Sequence, residues 1–289
     1  MSIKYLSLLL ISFLLSSTVT AGWVISEVSS DRFGNKSYQT TFLQNNKVRY
    51  ESDLSVAVID IDKELITLIF PLQKVYWEGS ADDFKKGTLE AFDKQMKAMI
   101  RQSDPDQKET YQQFYDEILK KINSTDTLEI ETHITVEALE GEAKIGEYNT
   151  RAYNIYIDSV LNEKIWITFD KTPFKNVNLK KLMALTKKMS PMNSGLSVTN
   201  SNSYINLVQK GMVVKTEKYI NGQPATTTSI TLVREGPIPD SFFSAPPLYR
   251  KASIAEVLEM GYDSDIPDIN RSDNPDNPDY KGVMPGNNK

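Results

Sequence analysis

The feature that most constrains this chain is a change of hydrophobic period, followed by its return. From residue 23 to residue 78 short apolar-rich runs bounded by turn residues follow one another, the pattern of strands. Stretches 23–28, 36–43 and 47–51 read as strands, with Gln44-Asn45-Asn46 as a tight turn. Residues 55–61 and 64–70 read as a hairpin about Asp62-Lys63. A further strand, 74–78, follows Pro71, which has no place inside a paired central strand. At Ala81 the period lengthens. Phe84, Thr88, Ala91, Phe92, Met96, Met99 and Ile100 recur at helical spacing over 81–101. Asp104-Pro105 restarts a helix, with Asp as cap and Pro at the first helical position. Its stripe is Tyr111, Phe114, Tyr115, Ile118, Leu119 and Ile122.

Alternation then returns. Over 128–138, Leu128, Ile130, Ile134 and Val136 oppose Glu129, Glu131, His133 and Glu137, a strand with one dry face. Residues 150–158 and 163–169 read as another hairpin, 179–189 as a third helix and 190–202 as a Ser/Asn-rich loop. A short helix over 204–209 ends at Gly211. Strands 212–220 and 226–234 meet through Asn221-Gly222, a strong hairpin signal. Ser253-Ile254-Ala255-Glu256 is a capping box, opening a last short helix that Gly261 ends. Asp, Asn, Pro and Gly dominate 262–289, so this stretch is expected to be a disordered acidic tail after a folded domain over 22–261. The class is α+β: a largely antiparallel sheet of about ten neighbouring strands, long enough to curl, with helical insertions packed on its concave face.

The first 21 residues read as a cleavable export signal. Lys4 precedes an apolar run over 6–15, and Val19-Thr20-Ala21 offers small residues at the cleavage positions, placing the cut after Ala21. The run is about half of the roughly 20 residues a spanning helix needs, and no later segment reaches that length. The chain has no cysteine, which excludes a lipid-modified cysteine after the signal and any disulfide. Stability therefore rests on a packed core. A formal net charge of −5 argues against a nucleic-acid partner.

Few residues suggest chemistry. His133 is the only histidine and reads as a solvated strand residue, since no nucleophile or acid marks a triad around it. Zinc needs clustered His and Cys. Glu129, Glu131 and Glu137 line the wet side of one strand, and nothing selects a catalytic pair from them. Asp263, Asp265 and Asp268 lack the turn Gly and distal Glu of a calcium loop. No catalytic residue, metal or cofactor is expected. The large apolar residues Trp77, Phe84, Phe92, Met96, Met99, Phe114 and Tyr115 either seal the helices to the sheet or line a pocket for an apolar group.

Several motifs fall in a suggestive order: Lys74-Val75-Tyr76, the Met-bearing insertion, Gly146-Glu147-Tyr148, Lys164-Ile165-Trp166-Ile167, Asn221-Gly222-Gln223-Pro224, and a closing run from Ile238-Pro239 through Phe242-Phe243 to Pro246-Pro247-Leu248-Tyr249. In this order the chain, from Trp23 to Tyr249, resembles the uncharacterised bacterial envelope family catalogued as domain of unknown function 4412, which is similar in fold to the lipoprotein carriers LolA and LolB. Leu248, where relatives often carry Gly, departs from that pattern in a turn. The resemblance implies an open half β-barrel whose concave side is plugged by helices and takes acyl chains in the carriers. It makes the periplasm the expected address, with the medium as the alternative. The expected function is a non-enzymatic protein binding a lipid or lipoprotein acyl chain. The alternatives are an interaction module with a filled core that docks an envelope protein and, behind it, a carboxylate-dependent hydrolase.

Overall fold

The computed structural model describes residues 21–123, 133–189, 198 and 201–265. Residues 1–20, which hold nearly all of the expected export signal over 1–21, most of the expected loop after residue 189, Glu129, Glu131 and the expected tail beyond residue 265, Asp268 included, lie outside the described residues. The strands are β1 (Gly22–Asp31), β2 (Lys36–Gln44), β3 (Lys47–Glu51), β4 (Val56–Asp60), β5 (Leu65–Phe70) and β6 (Val75–Ser80), then β7 (Ile134–Ala138), β8 (Ala143–Ile145), β9 (Tyr148–Ile157), β10 (Val160–Thr168), β11 (Met212–Ile220), β12 (Gln223–Gly236) and β13 (Arg250–Lys251). The helices are α1 (Ala81–Gln102), α2 (Pro105–Asn123), α3 (Leu179–Met189), α4 (Asn202–Lys210) and α5 (Ile254–Asp265).

All strands join one 13-stranded sheet in the order β13-β6-β5-β4-β3-β2-β1-β12-β11-β10-β9-β7, with β8 on β9. The long β12 pairs with β1 along its whole length and joins the two halves of the chain. This corrects the expected half-barrel. The sheet is open, with β13 and β7 as different, unjoined ends, and it is neither closed nor strongly curled. It is also mixed, because β13 adds parallel to β6. Strand number alone does not set curvature: closure needs strand tilt and a staggered register that brings the two edges together.

Turn chemistry follows the residues. Asn45 and Asn46, and Asn221 and Gly222, all have positive φ, the geometry of a two-residue hairpin turn. Asp158 and Ser159 do the same between β9 and β10 without a glycine. Ser80 and Asp83 form a reciprocal capping box that starts α1 directly from β6. Ser253 accepts from the Glu256 backbone N–H, one half of the expected box, while the Glu256 carboxylate pairs with Arg250. The following helix, however, runs past Gly261 to Asp265. Gly211 ends α4 in an extended conformation, not a left-handed cap.

The main core lies on one face of the sheet. Leu43, Val48, Ile66 and Met212 meet Leu179, Leu182 and Leu185 of α3, Ile205 and Val208 of α4 and Val257 of α5. A smaller core on the opposite face packs Val24, Val56, Val58 and Ile69 under Ile238 and Phe243 of the segment that returns to β13. The helical insertion does not lie flat on the sheet as expected. The start of α1 follows β6, and α1 then rests on α3 and α5, while α2 packs on α1. The insertion reaches out from the body with its own small core of Met96, Ile100 and Tyr115.

Candidate functional site

The seven apolar candidates separate into two groups. Trp77 is buried in the main core, and Phe84 packs edge-on against it with ring centroids 5.8 Å apart. Phe92, Met96 and Tyr115 form the α1–α2 seam with Ile100, Tyr111 and Leu119. Met99 and Phe114 sit on the outer surface of the hairpin, 38% and 51% exposed. The pattern places all of these but the strand residue Trp77 on helical stripes, and a stripe does not state which partner it meets. Here the partner of α1 changes along its length, from the body at Phe84 to α2 beyond Phe92.

At the outer end of the seam a cleft of about 460 Å³ opens between Asp93, Lys94, Lys97, Ile100, Arg101, Gln112 and Tyr115. Ile100 and Tyr115 are its buried apolar elements, and Met96 lies in the same core. Its other lining is charged. Tyr115 donates a short hydrogen bond to Asp93, and Lys97 Nζ lies 2.9 Å from the same carboxylate. Those bonds, the one from Tyr115 first, hold Asp93 below the usual carboxylate range, and the same Tyr115–Asp93 bond raises the Tyr115 hydroxyl. Arg101 is steadied by donating from Nε to the Lys97 carbonyl at 3.2 Å. With Asp93 already engaged, Lys94 and Arg101 leave the cleft with a basic surplus.

A second polar group, not singled out by the sequence, lies under the helices. Along β1 the core-facing positions run Trp23, Ile25, Glu27, so a carboxylate occupies an apolar phase. Glu163 of β10 stands opposite Lys218 of β11, with Nζ 3.9 Å from its carboxylate. Burial raises both Glu27 and Glu163 above the usual carboxylate range, with Lys218 partly offsetting it for Glu163. Burial, and then the charge of Glu27, pushes Tyr50 up to about 12. Burial also raises Tyr204 of α4, with Glu163 and Glu27 adding to it. An acid at an in-phase strand position is the one sequence signal for this group. Its partners come from strands and a helix that only the fold brings together.

Glu27 gives a direct prediction. A carboxyl held above its unfolded value of 4.5 favours folding only while protonated, and that advantage is lost as pH rises through its folded pKa. Glu27→Gln should therefore raise the melting temperature at pH 7 by roughly 2–4 °C, with the gain fading below about pH 4.5. Melting curves of both proteins across that range check it, and an equal gain at all pH values would count against it.

His133 is exposed, and its backbone N–H donates to Asp158 Oδ1 at 2.8 Å. It is solvated as expected but stands just before β7, not in the strand. Among the described residues no three His, Cys, Asp or Glu side chains converge in a way that would hold a metal ion.

No family model matches the chain, so membership in domain of unknown function 4412 is not supported. No curated protein matches it either. Solved structures resemble it in arrangement. PNGF-II aligns over 85% of this chain with 12% identity and a TM-score of 0.36, but the chain spans only 34% of the PNGF-II chain. MucB in complex with MucA(peri) aligns over 83% of this chain and 60% of its own, with 8% identity and a TM-score of 0.32. A domain described as an outer membrane lipoprotein-sorting protein from Vibrio parahaemolyticus aligns over 83% of this chain and 95% of its own, with 8% identity and a TM-score of 0.26. TM-scores this low carry no function across.

Proposed function

We propose that this is a non-enzymatic, periplasmic protein that holds an apolar group with an anionic end, such as a lipid or lipoprotein acyl chain, at the α1–α2 hairpin. The observation that carries this reading is the cleft of about 460 Å³, a size within the range of small-molecule sites, with Ile100 and Tyr115 in its wall and Lys94, Lys97 and Arg101 around them. A flexible methionine at the adjoining seam, Met96, adapts to an entering chain. The export signal read from the first residues supports the address. The site lies in the insertion and not in the sheet, whose helix-covered face is closed by packed side chains.

Titration of the mature protein with a fluorescent fatty acid tests this. Binding is expected, and reversing two of the cationic groups with Lys94→Glu and Arg101→Glu should weaken it about tenfold through lost charge complementarity. Absence of uptake, together with a bare mass in native mass spectrometry of protein taken from its host envelope, would overturn the reading.

A second reading is an envelope interaction module that docks a partner protein through the hairpin. The filled main core and the exposed Phe114 and Met99 favour it. It predicts cross-linking to a defined envelope protein that Phe114→Asp abolishes while fatty-acid uptake stays absent.

A further inference from the structure

The strand register places five hairpin turns at one end of the sheet: β1–β2, β3–β4, β5–β6, β9–β10 and β11–β12. Each carries one exposed apolar side chain at or beside its turn: Phe33, Leu54, Leu72, Val160 and Ile220. A sixth, Leu248, precedes β13, which enters the sheet at that same end beside Val75. Their exposure runs from 40% at Leu54 to 94% at Leu248. The other end of the sheet is different. Its turns carry Asn45, Asn46, Asp62, Lys63 and Glu64. These serve the fold: Asn46 Oδ1 accepts from the Asn178 N–H at 2.9 Å, and Lys181 reaches the Asp62 carbonyl at 3.2 Å and Glu64 at 3.2 Å.

Scattered surface leucines need no explanation. A separate apolar residue for every hairpin at one end does, when the hairpin turns at the other are polar and Phe169, just beyond β10, is exposed there. Strands lie about 4.8 Å apart, so successive hairpin tips are about 10 Å apart. Side chains so spaced form no continuous patch of the kind a protein interface packs, which needs some 800 Å² of close-fitting surface per partner. They suit a fluid apolar medium that fills the gaps between them. The charges at this end are mixed, with Asp31, Asp53 and Asp158 at the turns beside several cations. The Arg32 guanidinium sits 4.7 Å from the centre of the Phe33 ring, Lys36 opens β2, and Lys74 ends the β5–β6 turn. A ring that enters an interface with a cation beside it places that cation among lipid phosphates.

We infer that this hairpin end of the sheet docks on a phospholipid bilayer surface, with Phe33, Leu54, Leu72, Val160, Ile220 and Leu248 entering the interface. The inference does not depend on the proposed acyl site, which lies on the insertion.

Co-sedimentation of the mature chain with phosphatidylethanolamine/phosphatidylglycerol vesicles tests it. Binding is expected and should persist in part at high salt, because apolar insertion is not screened. Phe33→Ser, Leu72→Ser and Ile220→Ser lie at exposed turns. Each should weaken the vesicle partition about tenfold, the scale of withdrawing one large apolar side chain, and the triple variant should not bind. The triple variant should keep the wild-type melting temperature. Its fatty-acid titration should equal that of the parent protein, which separates this inference from the acyl-chain reading. No vesicle binding by the parent, or equal binding by a folded triple variant, would overturn it. So would loss of binding by salt alone, which would mark a purely ionic contact.

Discussion

Leu182→Ala is expected to destabilise the protein by about 2–5 kcal/mol, the cost of emptying a buried leucine site that cannot fully collapse. Leu182 is 1% exposed and stands in α3 at the centre of the main core, between the sheet and the neighbouring helices. For a domain of this size that is a fall of roughly 5–15 °C in melting temperature. Met96→Ala removes a similar volume but from the separate α1–α2 seam. It should raise hydrogen exchange over 92–119 while leaving the main transition within about 2 °C, because that seam can open without unfolding the sheet. Thermal unfolding read beside exchange distinguishes the two. Equal losses from both substitutions would mean that the hairpin and the body are one cooperative unit.

Gly211→Ala is the second large effect. A Cβ at this position would lie 2.7 Å from the Thr168 carbonyl oxygen and 2.5 Å from Ile167 Cγ2. The carbonyl belongs to β10 and cannot swing aside as a side chain can. Overpacking of this kind costs about 1–3 kcal/mol or more. The expected result is a melting temperature lower by several degrees and a disturbed β10–β11 pairing next to α4, read by chemical-denaturant unfolding. Gly222→Ala makes the useful control: nothing lies within 4 Å of its added Cβ, so only its φ of +75° opposes the change. A Gly211→Ala protein as stable as the parent would show that β10 yields at that point.

Gly211 also shows where reading the chain in one dimension stops. Its place after a short helix suggests a cap, yet its φ is −156°, a conformation open to any residue. The glycine is required by the approach of another strand, and that approach leaves no mark near residue 211. The same limit applies to Glu27. Its odd phase in β1 is visible in the pattern, but Tyr50 comes near it through β2 and β3, Glu163 through β12, β11 and β10, and Tyr204 from α4 above the sheet. The seven apolar candidates show it a third way. For the six on α1 and α2 the helical spacing is plain, but which of them meet the body depends on where α1 leaves it. β13 is two residues long and parallel, too short for any periodic signal.

Local chemistry was enough to set most of the strands, the order of the helices, the Asn-based turns and the final capping box, because alternation, helical spacing and turn preference act over a few residues. It was also enough to show a core built without cysteine. Long-range packing settled the rest. It left the sheet open with unjoined edges, split the apolar stripe between the body and a projecting hairpin, gathered two buried glutamates with two tyrosines, and turned a row of apolar hairpin tips to one end. These depend on the register of strands far apart in the chain and on the excluded volume between elements. Neither is written in the neighbourhood of any one residue.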